Sequence, residues 1–214
     1  KNVYYTGIVR DQQRRKMSKS LGNSPDPLDL IQQYGADGVR VGMLLSAPAG
    51  NDLLFDEALC GQGRNFSNKI WNAYRLLSHW GEGEGTEENE RQIWAHQWFE
   101  SKLNQAREKL DAHYAQFRIS DALMTVYKLI WDDYCSWYLE WIKPAAGHSI
   151  PTATVKKASS FFETLCGIAH PFMPFITEEI WQGLTQEKQG RFLMETPIQA
   201  QGNIDEVLLQ DAEK

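Results

Sequence analysis

Between Asp56 and His79 the apolar residues Phe66, Ile70, Ala73 and Leu77 recur at spacings of four, three and four, which places them on one face of an α-helix. No strand could bury that set together, since alternate residues of a strand point to opposite sides. The same periodicity returns from Ile93 to Ala115 and from Ile119 to Ile142, and again in Val155, Ala158, Phe162, Leu165 and Ala169. Pro171 and Pro174 interrupt this last helix, and a shorter one is expected from Phe175 to Leu184. Helices with one apolar stripe each must bury those stripes against one another, so most of the chain is expected to form a helix bundle.

The first fifty residues follow a different pattern. Val3 to Arg10 is rich in β-branched and aromatic residues and predicts a strand, with a turn at Asp11-Gln12-Gln13. The loop Gly22-Asn23-Ser24-Pro25-Asp26-Pro27 offers Ser24 or Asp26 as the cap of a helix from Leu28 to Tyr34, which Gly35 ends. A second helix is expected from Ala36 to Ser46, and Ala47-Pro48-Ala49-Gly50-Asn51 marks a boundary. Past the bundle, Arg191 to Glu195 predicts a strand and Asp205 onward an amphipathic piece. The fold class expected is mainly α: a helical bundle over residues 51–190, preceded by a small α/β segment over 1–50 and followed by an extension over 191–214.

Composition narrows the functional classes. Eight tryptophans, eight tyrosines and nine phenylalanines supply large rings for a core and argue against disorder. No run approaches the roughly twenty apolar residues of a membrane span, and Lys1 to Tyr5 shows no signal-peptide core, so a cytoplasmic protein without membrane contact is expected. A chain that lacks an initiator Met and opens with a strand-like run is expected to begin inside a longer polypeptide. Cys60, Cys135 and Cys166 lie far apart, without Cys-x-x-Cys spacing, and read as buried or half-buried thiols. The histidines are equally scattered, so no metal site is expected. The net charge of −6 argues against a generic nucleic-acid binder, yet the charge is segregated. Lys1, Arg10, Arg14, Arg15, Lys16 and Lys19 crowd the first 24 residues, and Glu82, Glu84, Glu87, Glu88 and Glu90 crowd one later segment, which permits a local anion site.

The residues richest in chemistry are Lys16-Met17-Ser18-Lys19-Ser20, followed by Leu21-Gly22-Asn23. Two ammonium groups and two hydroxyls within one turn suit a polyphosphate, and Gly22 lets the backbone open and close. A solvated basic loop would have the same composition. Its placement between a strand-turn and a helix separates the two readings, because Arg15 to Asn23 in that setting resembles the KMSKS signature of class I aminoacyl-tRNA synthetases. The resemblance implies that Lys19, with Lys16 as its partner, stabilises charge on the pyrophosphate of ATP (with Mg2+) during amino-acid adenylation, with Met17, Ser18 and Ser20 completing the ATP-binding loop. One departure touches the turn before the signature, where the family commonly carries glycine and this chain has Gln13-Arg14.

Longer stretches resemble the valyl branch of that family: Gly35 to Arg40, Gly50 to Asp56, Gly63 to Ala73, and His170-Pro171-Phe172-Met173-Pro174-Phe175-Ile176-Thr177-Glu178-Glu179-Ile180-Trp181. The resemblance implies a fragment of a monomeric enzyme that ligates valine to tRNA(Val), with residues 1–50 ending the catalytic domain and 51–190 forming the anticodon-binding bundle. The family's HIGH motif and editing domain are not found, so the N-terminal catalytic and editing domains are expected elsewhere and this piece alone is expected to be inactive. A stand-alone tRNA-binding module, the same portion of an isoleucyl, leucyl or methionyl enzyme, and a scaffold of amphipathic helices are the alternatives.

Arg64, Asn68, Asn72 and Arg75 fall at spacings of four, four and three, opposite the apolar face of the first long helix. They form a polar stripe suited to RNA phosphates or to a solvated face. Tyr134, Trp137, Tyr138 and Trp141 could stack unpaired bases, but core packing is the stronger reading for each ring. Glu178-Glu179 is expected to cap or charge a helix start rather than act as an acid/base pair.

Overall fold

A computed structural model describes residues 3, 7–47, 50–85, 87–145, 147–184, 191–197 and 202–211. Of the expected strand over Val3 to Arg10, only β1 (Val9–Arg10) is extended and paired; residues 4–6 lie outside the described part. Its partner is equally short: β2 (Leu53–Leu54) runs parallel, with Val9 opposite Leu53 and Arg10 opposite Leu54. Asp52 reinforces the pair, accepting from the Ile8 N–H at 3.0 Å and from the Arg10 guanidinium.

Between the two strands lie α1 (Pro27–Tyr34) and α2 (Ala36–Leu45). Asp26, not Ser24, caps α1, accepting from the Leu28 N–H at 2.8 Å. Gly35, at φ 76°, makes the corner between the two helices. The long helix α3 (Glu57–Trp80) follows, capped by Asp56. Its glycine-rich start lets α2 approach closely. A Cβ on Gly63 would stand 2.5 Å from the Gly38 carbonyl oxygen, and one on Gly42 2.6 Å from the Cys60 nitrogen.

The bundle consists of α3, α4 (Glu90–Ala115), α5 (Ile119–Lys128), which continues through a π-helical stretch Leu129–Tyr138 into α6 (Leu139–Ile142), and then α7 (Thr152–Ala169) and α8 (Pro174–Leu184). Phe66, Ile70, Ala73 and Leu77 are all buried, as their spacing required. The helix α4 is central and buries polar groups along with apolar ones. The polar side chains Gln92, His96, Ser101 and Asn104 each find a partner. Gln92 completes a reciprocal cap with Asn89 and donates to the Ile142 carbonyl, while His96 sits between Tyr138 at 2.9 Å and Glu88 at 2.8 Å. Ser101 and Asn104 bind the backbone of Asp205, Gly202 and Asn203, which docks the tail and its short helix α9 (Glu206–Asp211) onto α4.

Two expectations fail locally. Arg191 to Glu195 holds a 3-10 turn, Leu193–Glu195, instead of a strand. Among the described residues no strand pairs with it; the Glu178 carboxylate takes the Leu193 N–H at 2.9 Å, and the Leu193 side chain is buried. The regular helix expected from Ile119 to Ile142 is wound as a π-helix over Leu129–Tyr138. Its bonds span five residues, as from the Leu139 N–H to the Tyr134 carbonyl.

Candidate functional site

The loop Lys16–Asn23 springs from a hairpin. Asp11 N–H donates to the Arg15 carbonyl at 2.9 Å, Arg14 N–H to the Asp11 carbonyl at 2.8 Å, and Arg10 bridges to Lys16 in antiparallel fashion. This is a three-residue turn that ends in a left-handed residue, and that residue is Arg14, at φ 63°. The departure from glycine noted above therefore falls on the one residue of the turn whose backbone favours glycine. An L side chain there costs about 1–2 kcal/mol of local strain.

A polar clasp then closes the loop at its base. Asn23 Nδ2 donates to Asp11 Oδ2 at 2.9 Å and to the Lys16 carbonyl at 3.3 Å, and Asn23 Oδ1 accepts from the Ser18 N–H at 2.9 Å. Asp11 also accepts from Arg15 and from two backbone amides. The Asn23 amide, with the Arg15 guanidinium, holds the Asp11 carboxyl down to about 2. Beyond the clasp Lys19–Leu21 forms a 3-10 turn that Gly22 ends in the left-handed conformation. The hydroxyls of Ser18 and Ser20 face each other at 2.7 Å, and the side chains of Lys16 and Lys19 are exposed. The loop thus presents two exposed cations and two hydroxyls from a base held by Asp11 and Asn23. Neither clasp residue was singled out from sequence, because their roles depend on a contact twelve residues apart.

Along α3, Arg64, Asn68, Asn72 and Arg75 are all exposed, opposite the buried face. Arg64 Nη1 reaches the Gln33 carbonyl at 3.3 Å, and beside it opens a cleft of about 370 Å³ lined by Tyr34, Ser67, Asn68 and Phe175. The stripe is continuous and accessible, and lies on the helix that packs against α2.

The rings of the π segment divide. Tyr134 and Tyr138 are wholly buried, and the Tyr134 hydroxyl donates to the Ala158 carbonyl at 2.9 Å. Trp141 packs against Trp98 and Trp94, with centroids 4.6 and 5.0 Å away. Trp137 is the exception, 54% exposed. With bonds spanning five residues the chain advances less per residue than an α-helix. Four residues then bring Tyr138 back beneath Tyr134, while three leave Trp137 turned outward. Glu178 lies one turn inside α8 and holds the tail through Leu193 instead of capping the helix start; Glu179 is exposed.

Among the described residues no group of three or more His, Cys, Asp or Glu side chains could hold a metal ion, and no helix is long and apolar enough to cross a membrane.

Comparison with known proteins adds an independent line. Residues 96–213 match the family described as "Anticodon-binding domain of tRNA ligase", and residues 1–56 match "tRNA synthetases class I (I, L, M and V)". The chain is 54% identical over 211 residues to the valine–tRNA ligase of Christiangramia forsetii, covering 99% of this chain and 24% of that protein. It is likewise 54% identical over 214 residues to the valine–tRNA ligase of Bacteroides fragilis, with 100% and 24% covered. The chain therefore spans about a quarter of the length of the curated relatives it matches. Among solved structures it resembles the LeuRS of a LeuRS–tRNA–LeuAMS ternary complex from Agrobacterium radiobacter K84, with a TM-score of 0.63 at 20% identity over 97% of this chain and 24% of that one. At that identity the likeness carries the fold alone.

Proposed function

Because this chain belongs to the family of tRNA-ligase anticodon-binding domains, we propose that it serves a valine–tRNA ligase, with residues 51–190 holding the anticodon arm of tRNA(Val) and residues 1–50 carrying the ATP loop of the catalytic domain. The observation that carries the reading is one chain in which an exposed Lys16–Ser20 loop, pinned by Asp11 and Asn23, is joined through α1 and α2 to a helix whose outer face is Arg64, Asn68, Asn72 and Arg75. The identity to valine–tRNA ligases along the whole chain supports valine over the isoleucyl, leucyl and methionyl alternatives.

In this reading Lys19 is the main contact to the pyrophosphate of ATP and Lys16 its partner. Both act as point charges on oxygens whose negative charge grows as the adenylate forms. Met17 fills out the loop, while Ser18 and Ser20 turn their hydroxyls from each other to phosphate oxygens, and the Asp11–Asn23 clasp keeps the loop ends in place as it closes. Mg2+ would arrive with ATP. On the bundle, Arg64 and Arg75 pair with RNA phosphates, and Asn68 and Asn72 bond to phosphate or sugar oxygens. Residues 191–214 form an extension, the protein acts as a soluble cytoplasmic monomer, and the adenylate itself requires catalytic residues beyond those of this chain.

The test is direct RNA binding by the chain with Arg64→Ala and Arg75→Ala. Each variant should weaken tRNA(Val) binding several-fold and reduce the slope of log K against log salt by about 1. Unchanged affinity and slope in both would remove the stripe from the RNA interface.

A further inference from the structure

Asp37 and Arg40 lie one turn apart on α2, and both reach the corner between α7 and α8. Asp37 is buried, at 6% exposure, and its carboxylate accepts from the Ile176 N–H at 2.7 Å and the Phe175 N–H at 3.4 Å. It therefore satisfies the first amides of α8 from a part of the chain almost 140 residues away. Burial pushes its carboxyl pKa up, and these amides together with Arg40 oppose the shift. Arg40 donates from Nε to the Phe172 carbonyl at 3.2 Å and from Nη2 to the Pro171 carbonyl at 3.1 Å, just past the end of α7. The corner is itself closed: His170 Nδ1 lies 2.8 Å from the Thr177 hydroxyl, which donates to the Met173 carbonyl at 2.7 Å.

On its other side α2 is locked to α3 by backbone-to-backbone approach at Gly38, Gly42 and Gly63. Its N-terminus joins α1 at Gly35, and the cap of α1, Asp26, lies three residues past Asn23 of the loop clasp. A rigid path thus runs from the loop through α1 and α2 to the α7–α8 corner. Among the described residues, its hydrogen bonds with that corner come from the Asp37 and Arg40 side chains and end on backbone atoms.

We infer that Asp37 and Arg40 are positioning residues which hold the Lys16–Ser20 loop and the RNA-facing bundle at one fixed relative orientation, and so govern transfer of the acyl group to an RNA seated on the bundle. This inference rests on the proposed function. Adenylation needs the loop, ATP and amino acid but no RNA, whereas in transfer a terminal ribose hydroxyl of the RNA loses its proton and forms an ester with the acyl carbon as the acyl–phosphate bond breaks and AMP leaves, so the RNA end must be delivered to the place where the loop acts. A small error in relative orientation falls on the second step alone, where a misplacement of about 1 Å can cost up to about 100-fold.

The experiment places this chain in the matching region of the Bacteroides fragilis valine–tRNA ligase and compares the chimera with its Asp37→Asn, Arg40→Lys and Arg40→Ala forms. Expected for Arg40→Ala is valine-dependent pyrophosphate exchange within about twofold of the parent chimera, with kcat for charging tRNA(Val) down about tenfold and KM for tRNA little changed. Arg40→Lys should recover only part of the loss, because an ammonium does not present the flat fork that reaches two successive carbonyls. Exchange and charging that fall together, in step with a lower melting temperature, would assign these residues to stability alone and overturn the inference. Unchanged charging in all three variants would also overturn it. A parent chimera that exchanges pyrophosphate but charges no tRNA would refute the proposed function itself, and the inference with it.

Discussion

Replacing Gly63 by Ala tests the α2–α3 contact that carries the loop segment on the bundle, and its sign is set by two opposing effects. Both neighbouring helices are regular at this point, so alanine in place of glycine would by itself favour helix by about 1 kcal/mol. Against that, the new Cβ would stand 2.5 Å from the Gly38 carbonyl oxygen and 2.9 Å from the Val41 Cβ. Neither neighbour is the end of a flexible side chain, so the helices must part by several tenths of an ångström. Parting them loosens Val41, Cys60 and Phe66, each fully buried. Overpacking of this kind costs about 1–3 kcal/mol or more, and contact with backbone places it at the upper end. The net expectation is a destabilisation of about 2 kcal/mol, which for a domain of this size lowers Tm by about 4–8 °C. Gly61 is the control. It lies on the same helix, but a Cβ there would meet only Tyr34 at 3.7 Å, an ordinary contact. Gly61→Ala should raise Tm by about 1–3 °C. Thermal unfolding of the two variants under identical conditions is the assay, and equal shifts of the same sign would refute the packing argument.

The strained turn predicts that Arg14→Gly, by removing the cost of a left-handed arginine while adding freedom to the unfolded chain, slows hydrogen exchange at the Asp11 and Met17 amides by roughly two- to fivefold. Asn23→Ala should raise the Asp11 pKa from about 2 toward the ordinary 3.8, observable by titrating its carboxyl resonance. The sign follows from linkage: with a depressed folded pKa, the clasp is fully stabilised above about 4 and loses that support as pH falls toward 2. Asp133, which burial pushes up to about 6, has the opposite sign, so stability falls as pH rises from about 4 through 6. Asp133→Asn should therefore raise stability by about 1 kcal/mol at pH 7.5 and leave it nearly unchanged below about pH 3.5, in paired denaturant titrations. Trp98→Ala should cost about 3–5 kcal/mol and Trp137→Ala under about 1, since Trp98 is buried on α4 against Phe99 and Trp141 while the π winding turns Trp137 outward; comparable losses in both would contradict that account.

The helices were legible because their apolar spacing leaves no other element able to bury it, and their ends fell within a few residues of the caps and glycines that mark them. What escaped the sequence depended on distant partners or on backbone winding. The tail strand failed because its pattern matches a strand but the neighbour it meets is a carboxylate, Glu178, and not a strand edge. The π segment was hidden because Tyr134, Trp137, Tyr138 and Trp141 fit an α-helical face; only the five-residue bonds separate Trp137 from the buried set. In the candidate site, Lys16, Lys19 and the α3 stripe could be picked out by residue type and spacing, and all of them are exposed. Asp11, Asn23, Asp37 and Arg40 could not be assigned roles, because each gains its role from a residue 12 to 139 positions away.

The central claim, that this chain seats the anticodon arm of a valine tRNA, is tested most directly by measuring its binding to tRNA(Val) and to the same tRNA with a substituted anticodon, each at two salt concentrations. The account predicts affinity that falls with salt for both RNAs and a preference of about tenfold or more for the native anticodon at each concentration. Equal affinity for the two RNAs, or no binding to either, would contradict it.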